Sequence, residues 1–139
     1  MLAMQLCSTA SNTYWNIGRL LYEKKLESKH GSGIVNRLSA DLKTRYPDMG
    51  LSPRNLWDMK RFYLRYCDSG EELRQAVAVL PWSFNLILMQ KFKEDDAAIL
   101  YYARESVLKG WDRDLLLNAI KMKMHLIAKP ISMSNNPER

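Results

Sequence analysis

The stretch from Leu51 to Tyr66 constrains the fold of this chain more than any other part of its sequence. Ser52 can accept a hydrogen bond from the unpaired N–H groups that begin a helix, and Pro53 suits the first helical position because it has no N–H. Apolar side chains then recur at steps of three and four residues: Leu56, Met59, Phe62, Tyr63 and Tyr66. This spacing predicts a helix that packs one face against a core.

Polar side chains follow the other side of the same predicted helix. The row consists of Arg54, Asp58, Arg61 and Arg65, with Asn55 and Lys60 beside it. Aromatic residues on one face and cations on the other are typical of a helix that enters a DNA groove. An ordinary core helix with a solvated face would show the same pattern, so the two interpretations have to be separated by the rest of the chain.

The preceding residues predict a second helix and a turn. Ile34–Tyr46 has apolar residues at four-residue steps, and Pro47 ends it because the residue before a proline disfavours the helical conformation. Gly50 can adopt a left-handed conformation in the turn that follows. Helix, glycine-containing turn and helix is the order of a helix-turn-helix, although this turn is longer than usual. We therefore place a helix-turn-helix-like unit at residues 34–66.

The other segments also show helical periodicity, and none shows the alternation of a half-buried strand over any length. They predict helices at residues 4–28, 71–79, 82–92, 94–109 and 113–127. Gly18 inside the first helix costs about 1 kcal/mol relative to alanine, so we expect another helix to pack closely there. The apolar run Trp82–Phe92 could instead be a buried strand.

These patterns predict an all-α fold. We expect a compact multi-helix domain of about six or seven helices, containing a unit related to winged-helix proteins and, at most, one very short hairpin. Its expected boundaries are a flexible N-terminus at residues 1–12, a single helical domain at 13–128, and a disordered tail or linker at 129–139.

Composition favours a soluble cytoplasmic protein. No segment approaches the roughly 18 uninterrupted apolar residues that span a membrane. Cys7 and Cys67 lack the spacing of a metal site and fit a reduced compartment.

The positive charge is concentrated in one half of the chain. Residues 1–67 contain eleven basic and five acidic residues, whereas residues 68–139 contain ten of each, so the first half carries the whole net charge of +6. Such an asymmetry favours a polyanionic partner, with solubility as the alternative explanation. The candidate nucleic-acid-binding residues are Arg54, Asn55, Asp58, Lys60, Arg61 and Arg65, together with Arg37, Lys43 and Arg45 as phosphate contacts.

Catalytic chemistry is not indicated. A metal-dependent nuclease needs carboxylates that converge on Mg²⁺ together with a lysine. The sequences Glu23-Lys24-Lys25 and Asp41-Leu42-Lys43 resemble such a motif, but both fall on predicted helices. His30 and His125 are far apart, and no third ligand accompanies them. We expect no catalytic residue, metal or cofactor, and we interpret the four tryptophans as core residues.

Several blocks of the sequence resemble the N-terminal domain of the YhcG-like family of predicted PD-(D/E)XK nucleases of bacteria. The blocks are YWNIGRLL, GSGIVNRLSADLKTRYP, GLSPRNLWDMKRFY, LPWSFNLIL and YYARESVLKGW, within residues 14–126. The resemblance implies a helical, helix-turn-helix-like domain that precedes a nuclease domain in full-length relatives. Phe84 occupies a position where the family usually has histidine. The nuclease half is not in this sequence, so we expect a fragment or a stand-alone relative.

The leading hypothesis is a DNA-binding module that positions a nuclease domain, with RNA as an alternative ligand. The competing hypothesis is a homodimerisation or protein-interaction module, in which Trp82–Phe92 and Tyr101-Tyr102 would form a two-fold interface. The two are compatible, and a homodimer is expected. An enzyme is the third hypothesis, against which the lack of an acidic cluster argues.

Overall fold

The computed structural model of the chain describes residues 2–27 and 31–127. The helices are α1 (Leu2–Glu23), α2 (Ser32–Arg45), α3 (Pro53–Tyr66), α4 (Glu71–Ala78), α5 (Trp82–Lys91), α6 (Asp96–Lys109) and α7 (Arg113–Lys121), followed by a short helical stretch at residues 124–127. The described part of the chain contains no strand, so the predicted all-α fold is confirmed and α5 is a helix.

Residues 34–66 contain no strand and therefore no hairpin, whereas the helix-turn-helix-like unit, related to winged-helix proteins, stays a prediction. The first and last helices end earlier than predicted, because Lys25 and Lys123 adopt left-handed backbone conformations, with φ of 58° and 56°. At Lys25 the N–H groups of Lys25 and Leu26 bond the carbonyls of Tyr22 and Leu21, an arrangement that closes a helix C-terminus.

Other boundaries remain as expectations. Helix α1 begins at Leu2, inside the segment 1–12 that was predicted to be flexible, and that flexibility stays a prediction. The tail at 129–139 and His30 lie outside the described residues. None of the described helices is long and apolar enough to cross a membrane.

The helices fall into two compact units, Met1–Arg74 and Gln75–Arg139. In the first unit, α1 and α3 pack most closely at Gly18. A Cβ added to Gly18 would lie 2.1 Å from the carbonyl oxygen of Met59, so only glycine allows this approach. The predicted close packing at Gly18 is therefore confirmed.

The apolar stripe of α3 forms the centre of this first unit. Leu56, Met59, Phe62 and Tyr66 are buried, as predicted, whereas Tyr63 is half-buried. Tyr63 lies against Trp15 of α1, with ring centroids 4.9 Å apart. Such edge-to-face aromatic pairs contribute roughly 0.5–1.5 kcal/mol beyond the area they bury.

Trp15 also contacts two further side chains of the first unit. Its ring meets Phe62 at 5.9 Å, and the Arg74 guanidinium lies 5.1 Å from its ring centroid. Trp57, Trp82 and Trp111 are half-buried like Trp15, so the four tryptophans border the cores and none is fully enclosed.

Helix α5 of the second unit is mainly apolar, and its polar Ser83, Gln90 and Lys91 are exposed. Its Phe84, Leu88 and Met89 are buried, and the buried Asn85 donates its side-chain amide to the carbonyl of Val77 at 3.0 Å. Apolar side chains on several sides of a helix have to be covered by neighbouring elements. The apolar residues of α5 therefore form part of the core of the second unit.

Tyr102 of α6 organises the end of the second unit. It is fully buried, its ring stacks on Phe92, and burial raises the pKa of its hydroxyl. The hydroxyl oxygen lies 2.8 Å from Nδ1 of His125 and accepts the His125 backbone N–H at 3.2 Å. These bonds fix the segment after α7, where the left-handed Lys123 has already ended the helix.

We expect Gly18→Ala to lower the free energy of unfolding by about 1–3 kcal/mol, because the new methyl group would force α1 away from the Met59 carbonyl. The matched control is Gly33→Ala on α2, where an added Cβ meets nothing within 4 Å. This change should be neutral or stabilising by up to about 1 kcal/mol. Urea denaturation followed by circular dichroism measures both, and equal effects would contradict the close approach.

Candidate nucleic-acid interface

The turn between α2 and α3 is held by one side chain from each of α1, α2 and α3. The three hydrogen bonds run from Tyr14 Oη to Met49 O at 3.2 Å, from Asn55 Nδ2 to Gly50 O at 2.7 Å, and from Ser39 Oγ to Leu51 O at 2.6 Å. Three successive backbone carbonyls are thus bonded to three different helices. This arrangement fixes the position of the turn relative to α1, α2 and α3.

Two of these donors were not identified from the sequence. Ser39 is buried on the same face of α2 as Val35. A small polar residue within an apolar stripe is the sequence feature that could have indicated its role. The hydrogen bond of Tyr14 could not be predicted from neighbouring residues, because its acceptor lies 35 residues away. Burial raises the pKa of the Tyr14 hydroxyl, so the group keeps the proton that it donates.

The start of α3 has the predicted geometry. The hydroxyl of Ser52 accepts the backbone N–H of Asn55 at 3.2 Å, and Pro53 occupies the first turn. Gly50 has φ of 63°, in the left-handed region expected for it. Arg54 follows Pro53 directly and is exposed, which places a cation beside the turn.

The arginine row on α3 is only partly available for a ligand. Arg61 is exposed but forms a 2.9 Å ion pair with Asp58, which is largely buried, and this pair reduces the local positive charge. Arg65 is half-buried, with its guanidinium 5.1 Å from the ring of Tyr66. Arg54 is exposed and, unlike Arg61, takes part in no ion pair among the described residues.

Asn55 and Lys60 have contacts that stabilise the fold. The amide of Asn55 donates to Gly50 in the turn. The ammonium of Lys60 donates to the carbonyl of Leu26 at 2.8 Å, just after the end of α1. Their predicted role in nucleic-acid binding stays a prediction, and these contacts would compete with it.

The cations of α2 are exposed, and two of them lie in its last turn. Arg37, Lys43 and Arg45 all face solvent, and Arg45 is the last residue of α2. Arg45 and Arg54 therefore stand at the two ends of the turn at residues 46–52. We name the set Lys43, Arg45 and Arg54 the turn cations.

The described residues contain no group of three metal-binding side chains that could hold an ion. Asp95 and Asp112 accept the backbone N–H groups of Ala98 and Leu115, so these acids cap α6 and α7.

A family model describes nearly the whole of the chain. The DUF1016 N-terminal domain matches residues 2–126. The chain belongs to this family. The family is YhcG-like, so the resemblance found in the sequence is confirmed at the family level, whereas the association with a nuclease stays a prediction. Comparisons with curated proteins and with solved structures gave no match.

We expect Ser39→Ala to destabilise the domain by about 1–3 kcal/mol, because the Leu51 carbonyl would lose its partner in a buried position. Thr44→Ala on the same helix is the matched control, since the Thr44 hydroxyl bonds the Ala40 carbonyl at an exposed site. Thermal unfolding of both variants measures the difference. A Ser39 variant as stable as the Thr44 variant would contradict the role assigned to this bond.

Proposed function

We propose that this domain binds DNA through the turn cations, and that it positions a nuclease domain carried by full-length relatives. The chain itself is then a targeting module and not an enzyme. The observation that carries the proposal is the bonded turn, because it holds Arg45 and Arg54 at fixed ends of one rigid segment. Because the turn is fixed, binding to a phosphate backbone would have to order only the side chains of these cations and not the segment that joins them.

The charge of this segment supports a polyanionic ligand. Residues 34–66 contain seven basic and three acidic residues, a net charge of +4. Lys43 and Arg45 are suited to phosphates, which supply most of the affinity of such interfaces. Arg54 is the best candidate for base contact, since its guanidinium can pair with a guanine edge.

The details differ from the set proposed on sequence alone. Asn55 and Lys60 contribute chiefly by holding the turn and α3 in place, through the hydrogen bonds described above, whereas the half-buried Arg65 lies over the ring of Tyr66 on its own helix. Asp58 restrains Arg61 and lowers the charge of that part of α3. Binding should therefore depend more on the turn cations and Arg37 than on the last turns of α3.

A protein-interaction module is the second candidate function. The exposed apolar side chains of α6 and α7 favour it. The two functions involve different units of the chain and can operate together.

The test is fluorescence anisotropy of labelled duplex DNA across a salt series. If about four phosphates are neutralised, log K should fall with log salt at a slope near −3.6, using about 0.9 per contact. The variant Lys43→Ala/Arg45→Ala/Arg54→Ala should flatten the slope by up to about 2.7, since three contacts are lost. Competition with duplex RNA and single strands identifies the preferred nucleic acid.

The matched control is Lys91→Ala/Lys93→Ala/Lys109→Ala, which removes three exposed positive charges from the second unit outside α7. It should leave the slope almost unchanged. Equal weakening by both triple variants would point to nonspecific charge attraction. Absence of binding at low salt by the folded wild type would overturn the proposal.

A further inference from the structure

Exposed apolar side chains are concentrated in one part of the second unit. Among residues 12–27 and 31–127, eleven large hydrophobic residues are exposed, and six of these lie within residues 107–127: Val107, Leu108, Leu115, Met122, Leu126 and Ile127. Contiguous apolar patches on a protein surface commonly mark an interaction site. The segments suggested by the sequence for this role are instead largely core, since α5 and Tyr102 are buried.

Helix α7 presents a regular part of this surface. Leu116 and Ala119 are buried, which defines the inner face of the helix. Leu115 and Met122 are 50% and 64% exposed. Leu115 lies in α7, and Met122 is its C-cap residue, with a right-handed helical backbone conformation. Their separation of seven residues therefore places them on one side of the helix, about two turns from each other.

Two oppositely charged residues are also seven residues apart on α7. Asp114 and Lys121 each precede one of the two apolar residues in the sequence, and both are exposed. Within the described residues, neither takes part in an ion pair. The exposed side of α7 thus has an acid near its start, a base near its end, and an apolar residue next to each.

This pattern is complementary to itself in one orientation. When two identical helices pack antiparallel about a two-fold axis, the start of each meets the end of the other. Asp114 of one copy then faces Lys121 of the second, and the same pair forms again on the other side of the axis. Leu115 of each copy likewise contacts Met122 of the other. A parallel pairing would bring like charges to the same end.

We propose that α7 is an isologous docking surface for a second copy of this chain. Leu115 and Met122 form the apolar centre of the contact, and two reciprocal Asp114–Lys121 ion pairs set its antiparallel orientation. The apolar burial supplies the affinity, while the charges supply the specificity. The inference does not depend on DNA binding, because it concerns only the second unit.

Charge reversal tests the orientation. Sedimentation velocity over a range of concentrations should show a monomer–dimer equilibrium for the wild type. We expect D114K and K121D, each alone, to raise the dimer Kd about tenfold or more, because both attractive pairs become like-charge pairs. The double variant D114K/K121D should restore the wild-type Kd.

An equimolar mixture of D114K and K121D should also restore dimers. In that heterodimer Lys faces Asp at both positions, although neither protein dimerises well alone. Lys93→Asp makes the same charge change as K121D outside α7 and should have no effect. Circular dichroism confirms that each variant is folded.

The apolar centre needs its own variant. Leu115→Ser/Met122→Ser should yield a folded monomer that neither charge variant rescues. A wild type that stays monomeric at all concentrations would overturn the proposal. So would a dimer that is insensitive to the single reversals, or single variants that fail to associate when mixed.

Discussion

The close approach of α1 and α3 at Gly18 is the contact on which the first unit depends. It allows the backbone of α1 to touch the Met59 carbonyl of α3, which no side chain larger than hydrogen would permit. The same approach brings Trp15 against Tyr63 and lets Lys60 reach the carbonyl of Leu26. One missing Cβ thus sets the distance at which aromatic and polar groups of the two helices meet.

The conformation of the turn before α3 depends on the packing of the helices around it. Its carbonyls cannot pair within a helix, and a buried carbonyl without a partner costs free energy. Tyr14, Ser39 and Asn55 supply the donors from three helices, so the conformation of the turn is determined by tertiary structure. The exposed cations at its ends are consequently held on a rigid support, which is the physical basis of the proposed DNA contact.

The two proposed surfaces differ in chemistry and lie on different units. The turn cations form a hydrophilic surface that suits a phosphate backbone, whereas α7 combines apolar side chains with the acidic Asp114 near its start and the basic Lys121 at its end. Charge of a single sign favours a polyanion, and charges of alternating sign favour a partner with the reverse order. Variants in one unit can therefore test each surface without changing the other.

The sequence alone determined the helical class and the character of α3, because periodicity, the Ser52 cap and the position of Pro53 are local properties. It also indicated close packing at Gly18. It did not reveal that Lys25 and Lys123 end their helices, since left-handed lysines have no strong local signal. Nor could it separate the cations that hold the fold from those that face solvent. Lys60 and Arg54 look alike in sequence, but the partner of Lys60 lies 34 residues away, and only tertiary packing brings the two together.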